Sequence, residues 1–457
     1  MRRVEQWQLR AGFAARMAQA YGTEVPAYNT LVDVAAQVNA DVIARDGAAA
    51  ERLGSIGRVT AERHGAIRVG TPNELRQVSR IFAALGMSPV GFYDLRDAAR
   101  SAVPVVSTAF RPIDAAELAR NPFRMFASVL VTDDRRFFTT DLQRRLDTFL
   151  ARRQLFPPEL IALCDTAIHD RHLSSDDAEQ FLKLATAAFE LSAEPIDRAW
   201  YAELERISSV AADIGGVSTT HINHLTPRVL DIDELYRRMS ERGISMIDTI
   251  QGPPRWNGPD VLLRQTSFRA LAEPRRFREA DRSLTTGDLR VRFGEVEARG
   301  IALTRSGRDK YDAMLAMIDE RLVEEPDVQR AEVAAQVWSE QLPADEQRLL
   351  RDGWGFWTVS VRDRSRAVAS DDPWAQVDAG ALDATPIVYE DFLPRSAAGI
   401  FQSNLTAHGT KHTAVEGSVR DAAWLAGVLD HDVAEPMDLY ERQQRSSTVA
   451  AMAVLRR

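Results

Sequence analysis

Two short stretches of the chain carry the same pair of chemically capable groups. In His64-Gly-Ala-Ile-Arg68 and His224-Leu-Thr-Pro-Arg228 an arginine lies four residues beyond a histidine, and a helix-capping residue, Thr71 or Asp231, lies seven beyond it. A neutral imidazole is the commonest metal ligand, and a guanidinium is a planar fork for a carboxylate. With eight histidines in 457 residues, a repeated His-x3-Arg spacing points to paired metal ligands. A third ligand is expected to be a carboxylate on a strand. In FGEVEARG, Val291, Phe293, Glu295 and Glu297 share one face if the segment is extended, and a carboxylate on an apolar face is costly unless it is paired. Parity alone does not separate Glu295 from Glu297, although a solvent-facing position at a sheet edge suits Glu297 better. Two histidines and a carboxylate form the facial triad of non-heme iron(II) oxygenases; the same set also holds zinc or manganese.

Other clusters weigh less. In STTHINHL, His221 has no counterpart in the repeat and, by strand alternation, faces away from His224; it is expected to pack rather than ligate. Cys164, His169 and His172 lie near one another in a helical stretch that leads into a polar helix start, and His408 and His412 flank a glycine with no matching carboxylate. There is no P-loop, no GxGxxG opening a helix, no GxSxG and no HExxH.

The elements that must position these groups are legible around them. Thr71-Pro72-Asn73-Glu74 is a capping box with proline at the first helical position, and Asp231-Ile232-Asp233-Glu234 has the same shape. Each helix stops at a glycine, Gly86 or Gly243, and runs into a strand-like stretch, SPVGFYDL or ISMIDTI. Two further strands are expected in VLLRQTSFRAL and LRVRFGEVEARGIAL. Between the units, NPFRMFASVL, DLQRRLDTFLARRQ and DAEQFLKLATAAFEL read as amphipathic helices, as does RDKYDAMLAMIDERL beyond them. The expected organisation is a single α+β enzyme. Residues 1–54 are an N-terminal helical segment, 55–110 and 211–305 the two halves of a metal-binding core, 111–210 a mainly helical insertion, and 306–457 a helical and loop region closing the site.

Composition narrows the partners. Hydrophobic residues at 45% and charged residues at 27% are ordinary for a globular protein, and a net charge of -9 argues against nucleic acid or an anionic membrane as partner. A single cysteine excludes an intrachain disulfide framework and thiolate-rich metal sites. No run reaches membrane-span length, and the basic N-terminus lacks the apolar stretch of a secretory signal. These features read as a soluble, cytoplasmic protein.

Four stretches, THINHLTPRVLDIDELY, QGPPRWNGPDVLLRQTSFRALAEP, FGEVEARGIALT and YEDFLPRSAAGIFQSNL, together resemble the 2-oxoadipate dioxygenase/decarboxylase family of the vicinal oxygen chelate superfamily. The resemblance runs from about residue 10 to the C-terminus. It implies paired βαβββ modules forming a curved, metal-holding sheet, with a large helical insertion and helical C-terminal additions. It implies an Fe(2+) enzyme that converts 2-oxoadipate, a 2-oxo dicarboxylic acid, and O2 to D-2-hydroxyglutarate and CO2 in lysine breakdown. The ligands it implies are His64, His224 and Glu295, the last because the family's glutamate directly follows Phe-Gly. Arg68 would hold substrate, His64 would also touch it, and the segment around Arg395 and Ser396 would close over it. The family pattern has a small apolar residue where this chain has Arg395, so a main-chain contact is what carries over there. Other metal-dependent reactions of the superfamily, such as isomerase, lyase or ring-cleaving dioxygenase chemistry, use similar ligands and form the alternative.

Overall fold

The computed structural model describes residues 3–97, 102–324, 326–393 and 417–456. Arg395, Ser396, His408 and His412 lie outside the described residues.

The first repeat unit follows its sequence pattern. Strand β1 (Arg63–Val69) leads into helix α1 (Pro72–Ala84). The Thr71 hydroxyl accepts from the Glu74 amide, and the Glu74 carboxylate accepts from the Thr71 amide, both at 3.1 Å, so the capping box is complete. The helix buries Leu75, Val78, Ile81 and Phe82 and ends before Gly86, whose φ of +70° suits a residue without Cβ. Strands β2 (Ser88–Asp94), β3 (Val105–Arg111) and β4 (Arg124–Leu130) follow. Strand β4 replaces the helix expected in NPFRMFASVL. Every residue of it is buried, and a short run apolar on both faces has no periodicity to distinguish strand from helix.

Helix α2 (Ser209–Gly215) precedes strand β5 (Ile222–Pro227), which enters the same sheet. The order is β2-β3-β4-β1-β5, with β1 parallel to β4 and antiparallel to β5. Helix α3 (Ile232–Glu241) begins where expected, with the Asp231 side chain accepting from the Glu234 amide at 3.0 Å. The reciprocal half of that capping box does not form; the Glu234 carboxylate is taken by Arg237 and Arg238.

Beyond α3 the expected architecture fails. ISMIDTI makes only an isolated bridge, Met246 to Phe268, and Gln251 just beyond it makes another, to Gln265. Strands β6 (Leu263–Ser267) and β7 (Glu295–Arg299) form a two-stranded sheet of their own. The hairpin of Glu273–Arg278 and Leu284–Leu289 joins Ile196–Asp197 in a third sheet. The curved sheet of paired βαβββ modules is therefore not present: the α+β chain has several small mixed sheets and many helices. The local chemistry accounts for the break. Pro227 has no N–H with which to extend β5, and Gly252, at φ +100°, is followed by Pro253 and Pro254. The β6–β7 pair touches the larger sheet through Val229 N–H to Glu297 O at 2.8 Å and Phe293 N–H to Asn223 O at 3.3 Å.

Helices Gln6–Glu24 and Pro26–Asp46 share the main core with the five-stranded sheet, whereas Arg305–Glu324, Arg330–Gln341 and Pro436–Leu455 pack a second apolar cluster beside it. No described helix is long and apolar enough to cross a membrane.

Candidate metal centre

Within the β1–β5 ladder His64 lies opposite Thr226, and Ala66 opposite His224. The two imidazoles are thus diagonal neighbours, with ring centroids 5.5 Å apart and planes perpendicular. Glu295, at the start of β7, completes the group: His64 Nε2 is 3.3 Å from its Oε1, and His224 Nε2 is 3.8 Å from its Oε2. Gly294 allows this approach, since a Cβ there would lie 2.1 Å from the Phe268 ring. One donor atom from each of His64, His224 and Glu295 lies within 4.8 Å of the others, and all three residues are buried. Ligand atoms at about 2.0–2.2 Å from a common ion sit roughly 3 Å from each other, so the group can hold a divalent metal.

Each of the three side chains has a polar neighbour behind it. His64 Nδ1 lies 2.9 Å from Glu297 Oε2, and His224 Nδ1 lies 3.0 Å from Thr226 Oγ1. Gln265 donates from Nε2 to Glu295 Oε1. Partners of this kind fix ring orientation and tautomer and leave Nε2 for the metal. Phe293 stacks on His224 with centroids 5.2 Å apart, and Phe392 meets His64 edge-on at 5.0 Å.

The electrostatics divide the two histidines. Burial depresses the pKa of His224, and the charges of His64 and Arg68 push it further, well below the ordinary value, which favours the neutral imidazole. Burial opposes protonation of His64 too, but Glu297 and Glu295 outweigh it and raise its pKa. Burial raises the Glu295 carboxyl, with His64 partly opposing. Burial would also raise Glu297, yet Arg299, His64 and Arg124 hold it well below the usual carboxylate range. Glu297 is a fixed anion behind His64.

Two expectations about neighbours are overturned. Strand alternation sends His221 away from the site, but β5 carries a bulge. Ala66 pairs with His224 and Ile67 with Ile222, leaving Asn223 unpaired and resetting the alternation. His221 Nε2 consequently lies 3.2 Å from Asp213 Oδ1, and Asp213 Oδ2 accepts from Arg68 Nη1 at 2.5 Å. His221 remains outside the metal-ligating group but belongs to the buried surroundings of Arg68. Glu297, in turn, is not at a solvent edge. It is fully buried and gripped by Arg299 at 2.7 and 2.9 Å, and Arg299 also donates to the carbonyls of Tyr389 and Asp391 at 2.8 and 3.1 Å. The segment around residue 390 covers the edge that the sequence left open.

Arg68 lies on β1 beyond His64 and is close enough for its charge to depress His224. Its repeat partner Arg228 follows Pro227 and turns elsewhere, to Glu62 at 3.0 Å and the Leu53 carbonyl at 3.0 Å. Cys164 is buried and its thiol is pushed up to about 12 by that burial, while His169 and His172 are engaged with Asp170. Among the supporting residues, Thr226 had a signal, two positions from His224 on one strand. Gln265 becomes visible only through the register that places it opposite Glu297. Asp213 is 145 residues from Arg68 and gave no signal.

Buried His, His and Glu side chains on strands of an α+β fold form a group that could hold one divalent metal, an arrangement suited to a metal-dependent enzyme. Residues 13–404 match the 2-oxoadipate dioxygenase/decarboxylase family, and the chain belongs to it. The 2-oxoadipate dioxygenase/decarboxylase of Mycobacterium tuberculosis is 54% identical over 440 residues, covering 96% of this chain and 97% of that protein. That of Pseudomonas putida is 37% identical over 462 residues, covering 98% and 97%. The crystal structure of the hydroxyglutarate synthase in complex with 2-oxoadipate from Pseudomonas putida matches with a TM-score of 0.86 at 34% identity, covering 100% of both chains.

Proposed function

We propose that this chain is an iron(II)-dependent dioxygenase/decarboxylase of the cytoplasm that converts 2-oxoadipate and O2 to D-2-hydroxyglutarate and CO2 in lysine breakdown. The observation that carries the reading is the convergence of His64, His224 and Glu295 within 4.8 Å in a member of this family. These three residues would hold the metal, with residues 55–110 and 211–305 as the two halves of the core. Bound iron(II) supplies a site that chelates the keto oxygen and adjacent carboxylate of a 2-oxo acid and leaves room for O2.

The chain's own groups then bind and orient. Arg68 holds the remote carboxylate through its guanidinium fork, which a lysine does not provide. His64, beside the metal, also contacts substrate. Phe293 and Phe392, packed on the two imidazoles, keep water from the protein side of the centre. Closure by the region from 306 to 457, with Arg395 and Ser396 as substrate contacts, follows from the family resemblance; both residues lie outside the described residues. The reaction balances without a co-substrate: one oxygen atom of O2 enters the new carboxylate and the other the hydroxyl, as carbon dioxide leaves. The test is O2 uptake by anaerobically iron-loaded protein with 2-oxoadipate compared against 2-oxoglutarate. One O2 per 2-oxoadipate, with both labelled atoms of 18O2 in the five-carbon product, is expected; no uptake above that of the Glu295→Gln variant refutes the reading.

A further inference from the structure

We infer that Asp213 is a positioning residue for substrate specificity: together with His221 and Asn223 it clamps the Arg68 guanidinium in the orientation that receives the remote carboxylate. The inference rests on the reading of Arg68 as the substrate's anchor. It begins from the bulge in β5. The extra residue, Asn223, and His221 two positions earlier both reach a single carboxylate on α2. Asp213 Oδ2 accepts from Arg68 Nη1 at 2.5 Å and from Asn223 Nδ2 at 2.9 Å, while Oδ1 faces His221 Nε2 at 3.2 Å. Asn223 Nδ2 also lies 3.2 Å from His221 Nε2, so that ring nitrogen either accepts from Asn223 or donates to Asp213, according to its tautomer. All four members of the cluster are buried.

This is more than a counterion for a buried cation. An arginine side chain has four rotatable bonds and loses much rotamer entropy when fixed; a carboxylate gripping one terminal nitrogen fixes the plane before substrate arrives. Burial would raise the Asp213 carboxyl, but His221 and Arg68 hold it down to about 2, so the clamp stays charged. Buried atoms of the cluster, among them Asp213 Oδ1, His221 Nδ1 and Asn223 Oδ1, have no hydrogen-bond partner among the described residues. Such atoms are costly to leave unmet, which marks a polar cluster completed by water or by a bound polar group.

The experiment compares 2-oxoadipate with 2-oxohexanoate, a six-carbon 2-oxo acid without the second carboxylate. Binding to the metal-loaded, oxygen-free protein is followed by calorimetry, and metal content is measured alongside. In Asp213→Asn the dissociation constant for 2-oxoadipate should rise about tenfold or more, as expected for weakening a charge-assisted contact. That for 2-oxohexanoate should change less than threefold, and metal should stay at one per chain. His221→Ala should show the same selectivity in smaller measure, and it replaces Asp213→Asn if that variant does not fold. Equal loss for both acids, or no loss for either, overturns the inference. Arg68→Lys is the control: if it too leaves the preference for the dicarboxylate unchanged, the assignment of Arg68 has failed, whereas a selective loss there with none in the Asp213 and His221 variants sinks the clamp alone.

Discussion

Replacing Glu297 with glutamine separates a ligand from the group that aims it. The carboxylate lies 2.9 Å from His64 Nδ1 and is held by Arg299 at 2.7 and 2.9 Å. Glutamine keeps the shape and one carbonyl acceptor but removes the charge behind the imidazole. Losing such a partner weakens metal binding about 10–100-fold, or about 1.4–2.7 kcal/mol. Stability should fall as well, because Arg299 loses its nearest anion. Breaking a buried pair costs about 3–5 kcal/mol, and the low end applies here since Arg299 keeps Glu62 at 3.2 Å and two carbonyls. Metal affinity is read by competition with a chromogenic chelator, and stability by thermal denaturation of the metal-free protein. Glu297→Gln should fill with metal at saturation, whereas Glu295→Gln, which removes a ligand, should not. An affinity equal to the wild type would refute the supporting role of Glu297; an affinity as poor as that of Glu295→Gln would make it a ligand.

Arg68→Lys keeps the charge and loses the planar fork, so binding of 2-oxoadipate should weaken by up to roughly a hundredfold with metal content unchanged; calorimetry against 2-oxohexanoate shows whether the loss follows the second carboxylate. Thr226→Val removes the hydroxyl 3.0 Å from His224 Nδ1 at nearly constant volume, and chelator competition should give about a tenfold loss in metal affinity. Acid should unfold the protein through its buried carboxylates. Burial would raise Glu390, but Arg58 and Arg124 hold it down to about 2 from an ordinary value of 4.5. A depressed folded-state pKa contributes stability that is present above the unfolded value and disappears as pH falls through the folded one. The melting temperature should therefore fall as pH drops from about 4.5 toward 2, and a flat profile across that window would contradict the assignment.

The sequence carried the first unit well, because its signals are local. A capping box, a proline at the first helical position and a terminating glycine define α1, and the alternation around His64 holds along β1. The repeat singled out His64 and His224, which recur at one place in matched units, and the family resemblance singled out Glu295 after Phe-Gly; the structure brings the three together. The failures are non-local. NPFRMFASVL is a central strand because its neighbours bury both faces. His221 joins the Arg68 cluster because a bulge at Asn223 breaks the period-two rule. The separation of β6 and β7 into their own sheet depends on Pro227 and the Gly252-Pro253-Pro254 turn. Those breakers are visible in the sequence, but their effect on sheet continuity is not.

That separation poses a problem the protein solves with charge. His64 and His224 stand on one sheet and Glu295 on another, and the two sheets meet through few main-chain contacts among the described residues, at Val229, Phe293 and the Arg228–Glu297 bridge. A side-chain network spans the gap. Glu62, just before β1, binds Arg124 of β4 at 2.7 Å, Arg228 beyond β5 at 3.0 Å and Arg299 of β7 at 3.2 Å. Arg299 holds Glu297, Glu297 faces His64, and Arg124 and Arg58 reach Glu390 beside Phe392. Well-packed apolar side chains would stabilise such a junction at least as well as ion pairs, but they would not fix its register. Forked guanidinium–carboxylate contacts have one good geometry, and a metal centre needs its ligands held to about 0.5 Å. Arg58, Arg124, Arg228 and Arg299 face Glu62, Glu297 and Glu390, and Glu295 beside His64 is a fourth carboxylate, so four guanidinium groups are matched by four carboxylates at the junction.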